Sequence, residues 1–451
     1  MPRCNVYVIL IALFLYALTS GVTLRDRLLI STLHRLEHTA LFEPSEKDLF
    51  EGAMTGMTRM LANEYGDHYS MYVPSSMQSG YEDILENRYE GLGFLSSIFE
   101  EDGQKKLYIG YPLYGAASYR AGLRSGDQIV QIDGTHIADQ SNSEIFALLK
   151  QHSETRLSIL PFGQTESKEF VVQRERIHSD SVEGEYFDSG KRIFQLETHP
   201  HIGYIRITSF NPMTAMEFSA ALESMMQSGV ESFILDLREN SGGDVGSCIQ
   251  IAQMLMSPEK GRDVVVTVRP RRGAEQSRTL LSGTQRCTLP MVVLINGESA
   301  SSTEILAAAL QDHRRATIVG TRSFGKGVIQ NIFPLPFQSG ILQLTVAEYR
   351  RPNGAGIHRR INAEDSDEWG VTPDIIVELT ESEQSAVMDY RMLRSSVISE
   401  ERTAVLEHFR RLFIEQENDK GEDSEIQPFD FTGGAPYYDV QLEEAVNVLQ
   451  R

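Results

Sequence analysis

The stretch Val292-Val293-Leu294-Ile295-Asn296-Gly297-Glu298-Ser299-Ala300-Ser301-Ser302-Thr303-Glu304-Ile305-Leu306-Ala307 constrains the fold more than any other part of the chain. It opens with a short apolar run rich in Val and Ile, the pattern of a buried strand. Asn296-Gly297 breaks the run, small residues follow, and helix formers take over from Ile305 to Leu310. Two serines therefore sit at a tight strand-to-helix junction, where main-chain N–H groups are unpaired and favour negative charge. A serine placed there can attack a carbonyl and have the oxyanion received by nearby amides. The same residues also fit a plain helix end, because Ser301 followed by Glu304 is a capping box. The nucleophile-elbow pattern is absent, since Gly297-x-Ser299-x-Ser301 lacks its second glycine.

A serine hydroxyl needs a base, and the chain offers no His/Asp pattern to supply one. It offers Arg322-Ser323-Phe324-Gly325-Lys326-Gly327-Val328-Ile329-Gln330. A lysine between two glycines can be buried against another chain segment, because its neighbours carry no bulk. A desolvated lysine serves as base in the serine–lysine variant of the triad. To do so near neutrality its pKa must fall from ~10.4 by roughly three units, about 4 kcal/mol. The plain alternative is a surface lysine in a Gly-rich turn. A phosphate loop is set aside because the Gly-x-x-x-x-Gly-Lys-Ser/Thr spacing is missing.

The pair Ser299-Ala300-Ser301-Ser302-Thr303-Glu304 and Gly325-Lys326-Gly327-Val328-Ile329-Gln330 resembles the signature of the C-terminal processing (tail-specific) serine peptidases. That signature runs Ser-Ala-Ser-x-x-Glu, then Gly-Lys-Gly-x-x-Gln. The resemblance implies that Ser301, rather than Ser299, is the nucleophile, Lys326 the base and Gln330 the group that orients it. Ser302 and Thr303 depart from the usual Ala and Ser, but both are small, and the implied contribution of Ser302 is its main-chain N–H. On an extended strand Lys326 and Gln330 would share a face with Cα atoms roughly 13 Å apart, so both side chains reach inward or the chain bends at Gly327.

From Gly203 the chain alternates strand and helix: Tyr204 to Ile207, Thr214 to Gln227, Ser232 to Leu237, Val245 to Met256. The intervening Asp236-Leu237-Arg238-Glu239-Asn240-Ser241-Gly242-Gly243-Asp244 is similar to a second family signature. By that likeness an N–H of Gly242 or Gly243 receives the oxyanion, the alternative being a tight turn in which glycine serves geometry only. Asp236 and Arg238 are expected to pair and hold the loop. The implied fold class is α/β, with the crotonase-like core shared with the Clp proteases.

Ahead of this lies Gly91-Leu92-Gly93-Phe94, which resembles the carboxylate-binding loop of a PDZ domain. Glycines let consecutive N–H groups converge on a terminal carboxylate while the peptide adds as a strand to the sheet edge. Ala121-Gly122-Leu123-Arg124-Ser125-Gly126-Asp127-Gln128-Ile129 matches a second PDZ pattern, a helix from Asn142 to His152 follows, and strands near Leu157 to Leu160 and Phe170 to Gln173 finish the module. The plain reading is a β-domain with no ligand.

The net charge of −21 over 451 residues argues against nucleic-acid binding and against unaided docking on anionic lipid. No metal or other cofactor is implied: the chain lacks His-Glu-x-x-His and Cys-x-x-Cys spacing. Cys248 and Cys287 are expected to be buried thiols rather than a bridge. Residues Cys4 to Leu24 carry no charge and follow Arg3, which resembles a secretory signal peptide or, in competition, an uncleaved membrane anchor. Either puts the remainder outside the cytoplasm, periplasmic or secreted.

The expected organisation is residues 1–24 as signal or anchor, 25–86 helical with leucines at helix spacing and a methionine stripe expected to be core, and 87–176 as an inserted β-rich PDZ domain. Residues 177–380 form the α/β core, and 381–451 a helical region with an acidic linker at 415–425 and a last helix capped by Asp439. The expected function is an extracytoplasmic serine endopeptidase whose partners are protein or peptide C-termini; a homo-oligomer stays open. The rivals are a catalytically inactive tail-binding or apolar-ligand-binding protein on the same scaffold and a crotonase-type acyl-thioester enzyme.

Overall fold

The computed structural model describes residues 23–380 apart from 102, 189–190 and 365–366, together with scattered positions between 383 and 412 and residues 439–451. The expected signal or anchor segment, save its last two residues, and the acidic linker lie outside the described residues. So does much of the C-terminal helical region, though positions such as 407–409 are helical.

The chain divides into two compact units, one comprising the residues up to Ser79 with Gln330–Thr345 and the other Gly80–Ile329 with Val346 onward. In the first, helices Leu24–Thr39 and Glu46–Tyr65 form a hairpin. Each starts at a capping box, Thr23 with Asp26 and Ser45 with Asp48, which satisfies main-chain donors that a helix start leaves unpaired. Strand Met71–Val73 pairs antiparallel with Ile341–Gln343. Asp67 braces the turn before it, accepting from the Ser70 hydroxyl at 2.5 Å and the Thr345 hydroxyl at 2.8 Å. Helical periodicity located these helices correctly but not their burial. Leu28, Leu29, Leu36, Met57 and Met60 are exposed, so the stripes do not form a core. A two-helix hairpin gives each helix a single covered side, and the other remains in solvent.

The second unit begins with an antiparallel module. Strand Phe94–Glu101 lies at the edge of its sheet and pairs on its inner side with Gln104–Pro112; Gln128–Ile132, Glu154–Leu160 and Lys168–Gln173 follow in spatial order. Helix Asn142–Gln151, capped by Ser141 and Glu144, packs Ile145 into a cluster with Leu107, Ile109, Ile129, Leu157 and Ile159.

The core sheet has six strands in sequence order: β1 (Val182–Glu183), β2 (Ile202–Ile207), β3 (Ser232–Asp236), β4 (Met291–Ile295), β5 (Thr317–Gly320) and β6 (Ile375–Ile376). The first pairing is antiparallel and the rest are parallel. Helices α1 (Thr214–Gln227), α2 (Val245–Leu255) and α3 (Ser302–Asp312) connect consecutive strands. Their apolar sides join Ile205, Ile207, Phe233, Leu235, Val293 and Ile295 in one cluster. The alternate strand residues Tyr204, Ile234, Val292, Leu294 and Val319 point the other way, against Ala445 and Val446 of α4 (Val440–Gln450). A parallel sheet must be covered on both faces, and the chain's last helix covers the second. All five residues of β3 and of β4 are buried: β4 is apolar throughout, and β3 is apolar from Phe233 to Leu235 between Ser232 and Asp236.

Phe218 of α1 is fully buried over the sheet. Phe218→Ala should lower stability by about 3–5 kcal/mol, read as a fall in denaturant midpoint at constant slope; an unchanged midpoint would contradict this packing.

Candidate active site

β4 ends at Ile295, and α3 begins at Ser302. Ser299, between them, is wholly buried. Its hydroxyl donates to the Leu237 carbonyl at 2.9 Å and accepts from Asn296 N–H at 3.0 Å, so it is committed to holding the loop. Ser301 differs. An ordinary N-cap takes extended dihedrals, whereas Ser301 has φ 57° and ψ −118°, a region costly for any residue with a side chain. The plain-cap reading does not account for that strain. The conformation is held from both sides: Ala300 N–H donates to Asn240 O at 2.9 Å, and Ser301 N–H to Glu304 Oε2 at 2.9 Å. Gly242 lies against the serine so closely that a Cβ there would be 2.7 Å from Ser301 Cβ.

Glu304 is the residue that sequence reasoning undervalued, taking it only as half of a cap. Fully buried, its carboxylate accepts from Ser301 N–H, from the Ser323 hydroxyl at 2.6 Å, from Gly325 N–H at 2.7 Å and from Lys326 N–H at 2.8 Å. One oxygen, Oε2, thus serves the main chains of both Ser301 and Lys326. Phe324 N–H adds a direct tie to Ser299 O at 3.0 Å. The signal was present: an acid directly before Ile305-Leu306-Ala307, on a helix buried from Ser302 to Leu310, has to find donors. Burial pushes the Glu304 carboxyl up to about 7, against the pull of its four donors. Burial also lowers the pKa of the half-buried Lys326 amine, and the nearby Glu304 charge opposes that shift. Gly327 is required by crowding, since a Cβ there would be 2.2 Å from His358 N.

The loop from Asp236 to Gly243 forms the other wall. Burial works to raise the Asp236 carboxyl, but Arg238 and Arg391 outweigh it and hold the group well below the carboxylate range. The expected Asp236–Arg238 pair is present at 2.6 Å. Asn240 does more than its sequence suggested: its carbonyl takes Ala300 N–H and the Thr303 hydroxyl, and its side-chain oxygen takes Gly242 N–H at 2.8 Å. The Gly242 amide is therefore bonded within its own loop. Gly243 follows, its carbonyl accepting the Ser302 hydroxyl at 2.8 Å, and this bond ties the loop to the start of α3.

Gln330 lies on strand Val328–Pro334, and its amide donates to the Thr345 hydroxyl at 3.3 Å. In the antiparallel module, Gly91 ends a short strand and Leu92 is buried; Leu92 O and Gly93 O accept from Ser118 N–H and the Ser118 hydroxyl, at 3.2 and 2.6 Å. Phe94 then opens the edge strand. Cys248 and Cys287 are free, buried thiols, as expected. Among the described residues one His/Glu cluster, His34, Glu37 and His38, has metal-ligand spacing, on a helix of the other unit.

Because the folded Glu304 carboxyl sits at about 7 and the ordinary one near 4.5, its ionisation opposes folding. The penalty is absent below the ordinary value, grows as pH rises from there to about 7, and is constant above. The Tm of the parent should therefore fall relative to that of Glu304→Gln across this window. Thermal melts that give parallel Tm–pH curves would refute the shift.

The model of peptidase family S41 matches residues 201–377, and that of the PDZ domain matches residues 84–160. The carboxy-terminal-processing protease of Bartonella bacilliformis is 31% identical over 417 residues, covering 90% of this chain and 84% of that protein. The carboxyl-terminal-processing protease of Synechocystis sp. is 37% identical over 290 residues, covering 64% of this chain and 62% of its own. A solved Bacteroides fragilis protein ascribed to the S41 proteases superposes with a TM-score of 0.51 at 18% identity, over 86% of this chain and 97% of that one, a likeness of fold. The chain belongs to peptidase family S41, as a carboxy-terminal processing serine peptidase that carries a PDZ domain.

Proposed function

We propose that this peptidase works through a Ser301–Lys326 dyad outside the cytoplasm, on proteins that it grips by their free C-terminus. The observation that carries the dyad is the single carboxylate oxygen of Glu304 that receives the N–H groups of both residues. In this scheme neutral Lys326 Nζ takes the Ser301 hydroxyl proton as Oγ bonds to the peptide carbonyl carbon. The oxyanion is received by the N–H groups of Gly243 and Ser302. Collapse breaks the C–N bond, and the lysine ammonium returns the proton to the leaving amine. Water then gives a proton to the lysine as it attacks the acyl-enzyme; as the ester breaks, the lysine passes that proton to Ser301 Oγ, which frees the new carboxyl end and restores both residues. Gln330 enters the scheme on its sequence spacing alone.

Tail recognition is supported by the edge position of strand Phe94–Glu101 and by the anchored Gly91-Leu92-Gly93-Phe94 turn ahead of it, the geometry that strand addition uses. Export is supported by the uncharged run from Cys4 to Leu24 after Arg3.

Ser301→Ala and Lys326→Ala should each lower kcat/KM on an unfolded protein substrate by about 10⁴-fold or more. Turnover retained by either purified variant rejects the dyad. Replacing a substrate's terminal carboxylate with an amide should raise KM by about tenfold or more, the worth of a charge-assisted hydrogen bond; equal KM values would remove the tail-binding role.

A further inference from the structure

Arg238 is fully buried two residues ahead of Asn240, the residue that holds Ala300, Thr303 and Gly242. One edge of its guanidinium binds Asp236. The other meets a carboxylate 201 positions further along the chain: Arg238 Nη1 donates to Asp439 Oδ1 at 2.9 Å and Nη2 to Asp439 Oδ2 at 2.8 Å. The Gln441 side-chain oxygen accepts from Nη1 at 3.0 Å, and its amide nitrogen donates to Val377 O at 2.8 Å. Asp439 also caps α4, accepting Leu442 N–H at 3.0 Å. A bidentate carboxylate–guanidinium pair, dry on both sides, fixes distance and direction together, which a single bond cannot do.

The next residue shows why such fixing matters. Glu239 adopts φ 55°, a strained value for a side chain of its size. It is held by Asn296, which accepts its N–H at 3.0 Å, and by Arg391, which donates to its carboxylate at 2.6 Å. With Arg238 fixed and Glu239 bound to Asn296, Asn240 and the two glycines beyond it leave from an anchored start and reach Ser301.

We propose that Asp439 is a positioning residue for the peptidase reaction: through Arg238 it sets the Asn240–Gly243 loop, so that the C-terminal helix completes the active site as well as covering the sheet. This rests on the reading that Gly243 and Ser302 amides receive the oxyanion. Substituting Asp439→Asn keeps a good helix cap and one acceptor oxygen but removes the charge and the symmetric pair. Val446→Ala loosens the packing of α4 on the sheet without touching Arg238.

The experiment measures kcat and KM of the full-length protein on a peptide with a free C-terminus, well below the thermal midpoint of each variant. Asp439→Asn should lower kcat by about 10–100-fold with KM little changed, less than the loss of a whole oxyanion donor. Val446→Ala should keep its kcat even where its Tm falls as far. If Asp439→Asn loses Tm but keeps kcat, or if Val446→Ala loses kcat equally, the helix is only structural and the proposal fails. Ser301→Ala run alongside separates the two levels. If it stays active, the reading of the site is wrong. If it is inactive while Asp439→Asn keeps the parent kcat, only the positioning role is wrong.

Discussion

A carboxylate with no access to water sits between two loops that have little else in common. Glu304 is the first acid on a helix whose other residues are small or apolar as far as Leu310, and each of its oxygens accepts from two donors. Without it, the turn that strains Ser301 and the turn that carries Lys326 would keep the Phe324–Ser299 main-chain bond but lose the acceptor they share. Burial taxes the charge, and four donors partly offset that tax, so the group titrates close to neutrality. A structural acid of this kind is a compromise: it is costly as an ion, and it is poorly suited as a neutral group to four N–H and O–H partners.

The second constraint comes from the opposite side of the serine. The Asp236–Arg238 pair belongs to a dry assembly that gathers Tyr204, Arg391 and Asp439 around one carboxylate or its partner. Such assemblies contribute little net stability against an apolar alternative, because desolvation cancels most of the attraction. What they supply is geometry. Here the geometry is transmitted over a few residues to a strained serine, by the same logic that lets Glu239 keep an unfavourable dihedral.

Much of this was legible in the sequence, and for a definite reason. The strand-to-helix junction at Val292–Ala307, the lysine between glycines and the Gly-Leu-Gly-Phe turn are local patterns whose shape follows from neighbouring residues. Asp439 was legible as a helix cap, but its tie to Arg238 spans 201 positions, and no periodicity reaches that far. The bond made by the Gly242 amide was equally hidden. Gly242 and Gly243 both have positive φ, and it is the Asn240 side chain that turns to take the first one's N–H. For the helices of the first unit, spacing revealed an apolar side and was silent on whether anything covers it, so Met57 and Met60 were assigned to a core they do not enter.

Ala445 and Val446 close the face of the sheet formed by Tyr204, Ile234, Val292, Leu294 and Val319. The helix that carries them starts at Asp439, the ligand of Arg238. Lifting that one helix off would therefore wet a row of apolar side chains and unpair a dry guanidinium in the same event, so the seal over the sheet and the latch on the loop open or close together.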